Sequence, residues 1–197
     1  CMQPHLSKGL SDQYAFVLSC PGKFEEKAGH PAAGTTGRNL EVLLVLLSSR
    51  LGKTTLARDS VTITNAWPEI EYSARTGRSQ ATDLEIRDAT NIDRLASELS
   101  HVSDLIVFCG DKARIASIEL ARLSLLPQRT KLTYIEHLGA RGLLSIVRDL
   151  QGNRIVAAKE QRRRGNLTPM KKLQAENTRR RVEVVVQGLL DGIRPLG

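Results

Sequence analysis

Aromatic residues make up only 4% of the 197-residue chain, so its core has to be aliphatic. No uninterrupted apolar run approaches the roughly 18 residues that a membrane-spanning helix needs. The three cysteines, Cys1, Cys20 and Cys109, are odd in number and far apart. They match neither a disulfide framework nor a zinc or iron–sulfur spacing. No metal and no other cofactor is expected. Cys1 to Gln13 contain no apolar signal core, and a cytoplasmic monomer is the expectation. Apolar residues reach 41%, enough to build a real core in one domain of this length.

Negative charge is scarce where positive charge is dense. Residues 151–197 carry 11 Lys/Arg against 4 Asp/Glu, whereas residues 1–150 carry 18 against 17. Nearly all of the +8 net charge therefore falls in the C-terminal quarter. This divides the chain into a near-neutral body, 1–150, and a basic helical extension, 151–197, packed on it. Clustered cations favour a polyanion such as DNA or RNA through counterion release. A solvated helix face is the plainer reading.

Short apolar runs alternate with helical patterns. Tyr14–Ser19 reads as a buried strand, ended by Cys20-Pro21-Gly22. Leu40, Leu43, Leu44, Leu47 and Leu51 repeat at helical spacing, with the helix expected from Glu41. Val61–Thr64 reads as a strand that stops at Asn65-Ala66-Trp67-Pro68. Glu69–Asp88 reads as a loop with a short edge strand near Leu84–Ile86. Asn91 is expected to cap a helix reaching Leu99. Asp104–Cys109 is a third strand, followed by a helix over Lys112–Leu123. Lys131–Ile135 is a fourth strand, and Leu143, Ile146, Val147 and Leu150 mark another helix. In the tail, Thr168-Pro169 should start a helix whose apolar stripe is Met170, Leu173, Val184, Val185 and Leu189. The alternation predicts a three-layer α/β/α domain with a central, mostly parallel four-stranded sheet. Parallel strands share a direction. Ser19-Cys20, Asn65, Cys109-Gly110 and His137 should therefore gather at one sheet edge, where α/β proteins hold ligands.

The segment Pro21 to Leu40 holds four glycines and two prolines, too many for a simple connector. Its order is a strand, Pro21-Gly22, Glu25-Glu26, Gly29-His30-Pro31, Gly34, Gly37-Arg38 and a leucine-rich helix. In this it resembles the uracil-DNA glycosylase superfamily, and most of all its thermophilic iron–sulfur branch. Ile63-Thr64-Asn65, Ile106 to Gly110 and Tyr134 to His137 resemble three later segments in the right order. The resemblance spans about residues 14–150.

It implies a monofunctional DNA glycosylase that flips out a pyrimidine and hydrolyses its N-glycosidic bond. In that reading His137 assists departure of the base and Asn65 reads its edge. Ser19, Cys20, Pro21, Gly22, Ala32 and Ala33 form the base pocket. His30, Gly34, Arg38, Arg141, Arg162, Arg163, Arg164, Arg179 and Arg180 contact DNA. The departures matter as well. The cluster cysteines are missing. Ser19 and Cys20 stand where the family places an acid or amide, so in this resemblance either Glu25 or Glu26 supplies the acid or the chain is catalytically weak on uracil. Ala32 replaces a base-stacking phenylalanine, and Gly22 a tyrosine that excludes the thymine methyl. A roomier pocket suits a bulky C5-modified base, such as glucosylated hydroxymethylcytosine in phage DNA, and resembles bacterial antiphage glycosylases.

Other readings stay open. The protein could act on uracil in base-excision repair, or bind DNA or a nucleotide without catalysis, and its tail could bind RNA. His137 could be a structural histidine, Asn65 a strand terminator, Glu25 and Glu26 solvated charges, Trp67 a packing anchor, and Cys20 and Cys109 small fillers. Gly52-Lys53-Thr54 imitates the end of a phosphate-binding P-loop. Leu47 occupies the required glycine position and a helix precedes it, so a nucleoside triphosphatase is rejected.

Overall fold

The computed structural model describes residues 3–52 and 56–195. Lys53 and Thr54 of the P-loop look-alike, and Cys1, lie outside the described residues. All five residues of the Tyr14–Leu18 run are buried, as a strand covered on both faces requires. The strands are β1 (Leu6–Ser7), β2 (Tyr14–Leu18), β3 (Thr62–Asn65), β4 (Leu105–Cys109), β5 (Lys131–Ile135) and β6 (Arg194–Pro195). They form one sheet in the order β1-β3-β2-β4-β5-β6. The four inner strands are parallel to one another, as expected. β1 and β6 add short antiparallel edges that no sequence pattern announced. At two residues each they are too short to show a period.

The helices are α1 (Lys23–Ala28), α2 (Gly34–Leu51), α3 (Ser73–Thr76), α4 (Asp83–Ile86), α5 (Ala89–Leu99), α6 (Asp111–Arg122), α7 (Ala140–Leu144), α8 (Ala158–Arg163) and α9 (Met170–Asp191). Strand alternation divides the core in two. Tyr14, Phe16 and Leu18 point to one face and pack with Leu40, Leu44, Leu47 of α2 and Val182, Val186, Leu189 of α9. Ala15 and Val17 point to the other, with Ile92 and Leu95 of α5 and Ala113, Ala116 and Leu120 of α6. The result is a three-layer α/β/α domain. Because α9 shares an outer layer with α2, the basic tail is held by burial of its valines as well as by charge.

Several local expectations fail for identifiable reasons. The expected edge strand near Leu84–Ile86 is the helix α4. Thr82 Oγ1 accepts from the Glu85 N–H at 3.3 Å, while the Glu85 carboxylate accepts from the Thr82 N–H at 2.8 Å. This capping box commits the segment to a turn of helix. Asp88, not Asn91, caps α5, its Oδ1 accepting from the Asn91 N–H at 3.2 Å. Asn91 is buried instead, and its Nδ2 donates to the Ala66 and Ile86 carbonyls, both at 2.9 Å. α2 starts at Gly34, well before Glu41, so the second half of the glycine-rich segment is helical.

The helix expected to reach Leu150 stops at Leu144. Asp149 Oδ1 accepts from the N–H groups of Gln151 (3.1 Å) and Asn153 (2.8 Å), a local alternative to helical bonding. α9 starts one residue late, with Pro169 rather than Thr168 at the cap position. Its buried stripe runs through Leu173, Asn177, Val182, Val185, Val186 and Leu189, and leaves Val184 and Met170 half-exposed.

Candidate active site

The chain leaves β2 through α2 and returns to β3 on one side. It then crosses back through α5 to β4 on the other side of β2. The connections thus diverge between the carboxyl ends of β2 and β4, which opens a crevice at that switch point. There the structure has a cleft of about 540 Å³. Ser19 and Cys20 after β2, Asn65 at the end of β3, Gly110 after β4 and His137 after β5 all line it. The convergence expected of the parallel strand ends is present, and the volume suits a small-molecule or nucleobase site.

His137 is held in a backbone cradle. Its Nδ1 accepts the Gly139 N–H at 2.9 Å. That bond assigns the proton of the neutral ring to Nε2, which has no protein partner among the described residues. Burial pushes the ring's pKa below its usual value, with the Glu25 charge opposing in part. At neutral pH the cleft therefore contains an uncharged imidazole with Nε2–H as its free donor. A Cβ on residue 142 would sit 2.0 Å from the His137 carbonyl oxygen, so only glycine permits the turn. Gly110, at φ +86°, keeps a Cβ away from the His137 side chain. Asn39 Nδ2 of α2 donates to the Leu138 carbonyl at 2.6 Å and ties the turn to the helical layer.

Asn65 is 1% exposed, and its Oδ1 has no hydrogen-bond partner among the described residues. Its backbone carbonyl is satisfied by Arg94 Nη2 at 3.0 Å. A buried amide oxygen left unpaired costs stability, and Asn65 belongs to the cleft wall.

The two carboxylates proposed from sequence separate. Glu25 lines the cleft, and both of its oxygens accept backbone N–H groups, from Gly22 at 3.0 Å and Ala33 at 2.9 Å. It clamps the loop that shapes the pocket. Glu26 does not line the cleft. It accepts from the Tyr72 hydroxyl at 2.7 Å and pairs with Arg75, so its assignment as a catalytic acid is corrected. The carboxylate missed by the sequence reading is Glu71, which lines the cleft at 4% exposure. Hydrogen bonds from Arg78 hold its carboxyl below the usual range against the opposing effect of burial. Arg78 also grips Glu85 through two contacts of 2.8 Å, so one guanidinium fastens two carboxylates. Glu71 falls in the Glu69–Asp88 segment, which the sequence pattern reads as a loop with a short edge strand near Leu84–Ile86. Its place after a parallel strand was the available signal, the same one that selected Asn65.

The remaining candidates divide in the same way. Cys20 lies in the wall, where burial pushes its thiol up to about 11, so it stays protonated and unreactive at neutral pH. Ser19, Gly22, Ala32 and Arg141 line the cleft; Pro21 and Ala33 do not. Ala32 sits at φ +51° with its carbonyl held by Arg58 Nη1 at 2.8 Å. His30 turns to Arg58 and the Pro31 carbonyl, away from the cleft. Gly34 begins α2 beneath the Phe24 ring, and Arg38 donates to Thr35 Oγ1 at 3.0 Å. Arg162, Arg163, Arg164, Arg179 and Arg180 do not line the cleft. Its ionisable lining is acidic on balance: Glu25, Glu71, Asp111 and Glu136 against Lys112 and Arg141.

Among the described residues no group of three or more His, Cys, Asp or Glu is placed to hold a metal ion, and no helix is long and apolar enough to cross a membrane. No protein-family model matches the chain, and no curated protein matches it.

Proposed function

We propose that the cleft is the active site of a monofunctional DNA glycosylase acting on a modified pyrimidine. The observation that carries this reading is the pairing of a free donor, His137 Nε2–H, with an unpaired buried acceptor, Asn65 Oδ1, in one cleft. A pyrimidine edge offers the complementary pair, a carbonyl oxygen and an N–H. An extruded nucleotide costs a few kcal/mol to unstack, and these contacts offset part of that. When the N-glycosidic bond breaks, its electron pair leaves with the base. The base becomes anionic and the sugar cationic. His137 Nε2–H donates to the anionic oxygen. The carboxylates of Glu25 and Glu71 supply negative charge to the sugar cation, and Glu25 takes up the single proton released by the attacking water, which the anionic base regains on leaving. Water oxygen adds to C1′, and an abasic site remains.

Ala32 and Gly22 present little side chain to the cavity, which suits a bulky C5 substituent such as a glucosylated hydroxymethyl group. Such a substrate would make the protein an antiphage enzyme, whereas uracil would make it a repair enzyme. Incubation with uracil-containing DNA and with glucosylated hydroxymethylcytosine DNA, followed by detection of abasic sites, decides between them. Faster excision of the bulky base is expected. No abasic sites on either DNA would sink the proposal.

A second reading has support of its own. Glu25 is fully engaged by backbone donors and Glu71 by Arg78, which suits a module that holds an extruded base without hydrolysing it. Retained DNA binding without product would favour it.

A further inference from the structure

The two arginine runs do not act as blocks. Arg162 Nη1 donates to the Leu167 carbonyl at 3.1 Å, Arg179 pairs with Glu183 at 3.2 Å, and Arg181 Nε donates to the Ile146 carbonyl at 3.1 Å. Arg164 and Arg180, one from each run, instead reach a common hollow of about 290 Å³ between α8 and α9. Arg154, from the turn after Asp149, joins them there, and Gln161 and Asn166 complete a polar wall. Arg164 carries Glu160 as a counter-ion and Arg180 carries Asp149. Arg154 is exposed and its side chain has no partner among the described residues.

The geometry points to this hollow as a phosphate notch. Three arginines from three separate segments line one cavity, and two carboxylates offset only part of their charge. Guanidinium forks match phosphate oxygens in pairs, while the Gln161 and Asn166 amides, bonded to the Val156 carbonyl and to each other, fix the wall between them. The notch takes a phosphodiester of a nucleic-acid strand; for that source it rests on the proposed substrate of the cleft. Arg181, the chain neighbour of Arg180 in the notch, donates to the Ile146 carbonyl, and Ser145 beside it lines the cleft.

The test compares Arg154→Gln and Arg164→Gln with Arg122→Gln at the end of α6, whose exposed side chain pairs with Glu119. All three remove one exposed positive charge, but only the first two remove it from the notch. Affinity for an unmodified DNA duplex is measured between about 50 and 200 mM salt. Each notch variant should bind several-fold more weakly at about 0.15 M salt. Each should also make the slope of log K against log salt shallower by about 1, while Arg122→Gln leaves the slope unchanged. Equal effects from all three, or no effect from the notch variants, would overturn the site. So would saturable binding of inorganic phosphate at Arg154 with the DNA slope unchanged, since the notch would then serve small phosphates. Base excision is followed in parallel. A changed slope in a protein that excises nothing removes the glycosylase and leaves the notch standing.

Discussion

The cleft at the carboxyl edge of the sheet and the notch between α8 and α9 have opposite electrostatics. The cleft has an acidic lining and a neutral imidazole; the notch is walled by guanidiniums. The cleft is shaped mostly by backbone, with glycines and N–H groups around His137 and Glu25, while the notch is made of long side chains. A site that must orient a small flat base gains from rigid backbone donors. A site that grips a strand needs charge and tolerates mobility. Under the proposed function, chemistry and grip are separated in space, and each should be removable without the other.

The sharpest break of that symmetry is His137→Ala. Excision should fall by about two to four orders of magnitude, the range for loss of a leaving-group donor. Duplex affinity and its salt slope should stay within about twofold of the parent. Loss of binding together with excision would merge the two regions and contradict the comparison.

Asn65→Ala should produce a smaller and more telling split. Excision should drop about tenfold or more, measured as single-turnover abasic-site formation. Thermal stability should hold or rise, because an unsatisfied buried acceptor, itself costing about 1–3 kcal/mol, is removed. A clear fall in the melting temperature would show that Asn65 is structural and that its oxygen awaits no ligand.

The smallest expected effect is a pH dependence confined to the cleft. The folded-state pKa of His137 is depressed, so the unfolded chain binds a proton more readily. Its contribution is complete above the ordinary histidine value of about 6.5 and is lost as pH falls from there through the folded value. Denaturant titrations at stepped pH should show this fall, and His137→Asn should flatten it. An unchanged profile in the variant would transfer the effect to His101, whose pKa burial also lowers.

Legibility followed the scale of the pattern. β2 and β4 are five-residue apolar runs buried on both faces, and nothing but a central strand accommodates them. His137 and Asn65 could be placed together because parallel strands deliver their ends to one edge. Glu26 was misplaced because it and Glu25 are neighbours on one helical turn, and adjacent helical side chains point about 100° apart. One faces the cleft and the other faces Tyr72 and Arg75. The same geometry divides the two arginine runs, so that one member of each enters the notch. Arg154 has no local pattern to mark it.

The one-dimensional order of apolar runs, glycines and strand ends by itself determined the α/β/α layering and the edge where a ligand would lie, because side-chain period and chain direction are local properties. Tertiary structure alone decided which carboxylate lines the cleft, which nitrogen of His137 carries its proton, and which three arginines meet. Those outcomes depend on contacts between residues far apart in the chain, and on a helical twist that gives sequence neighbours different partners.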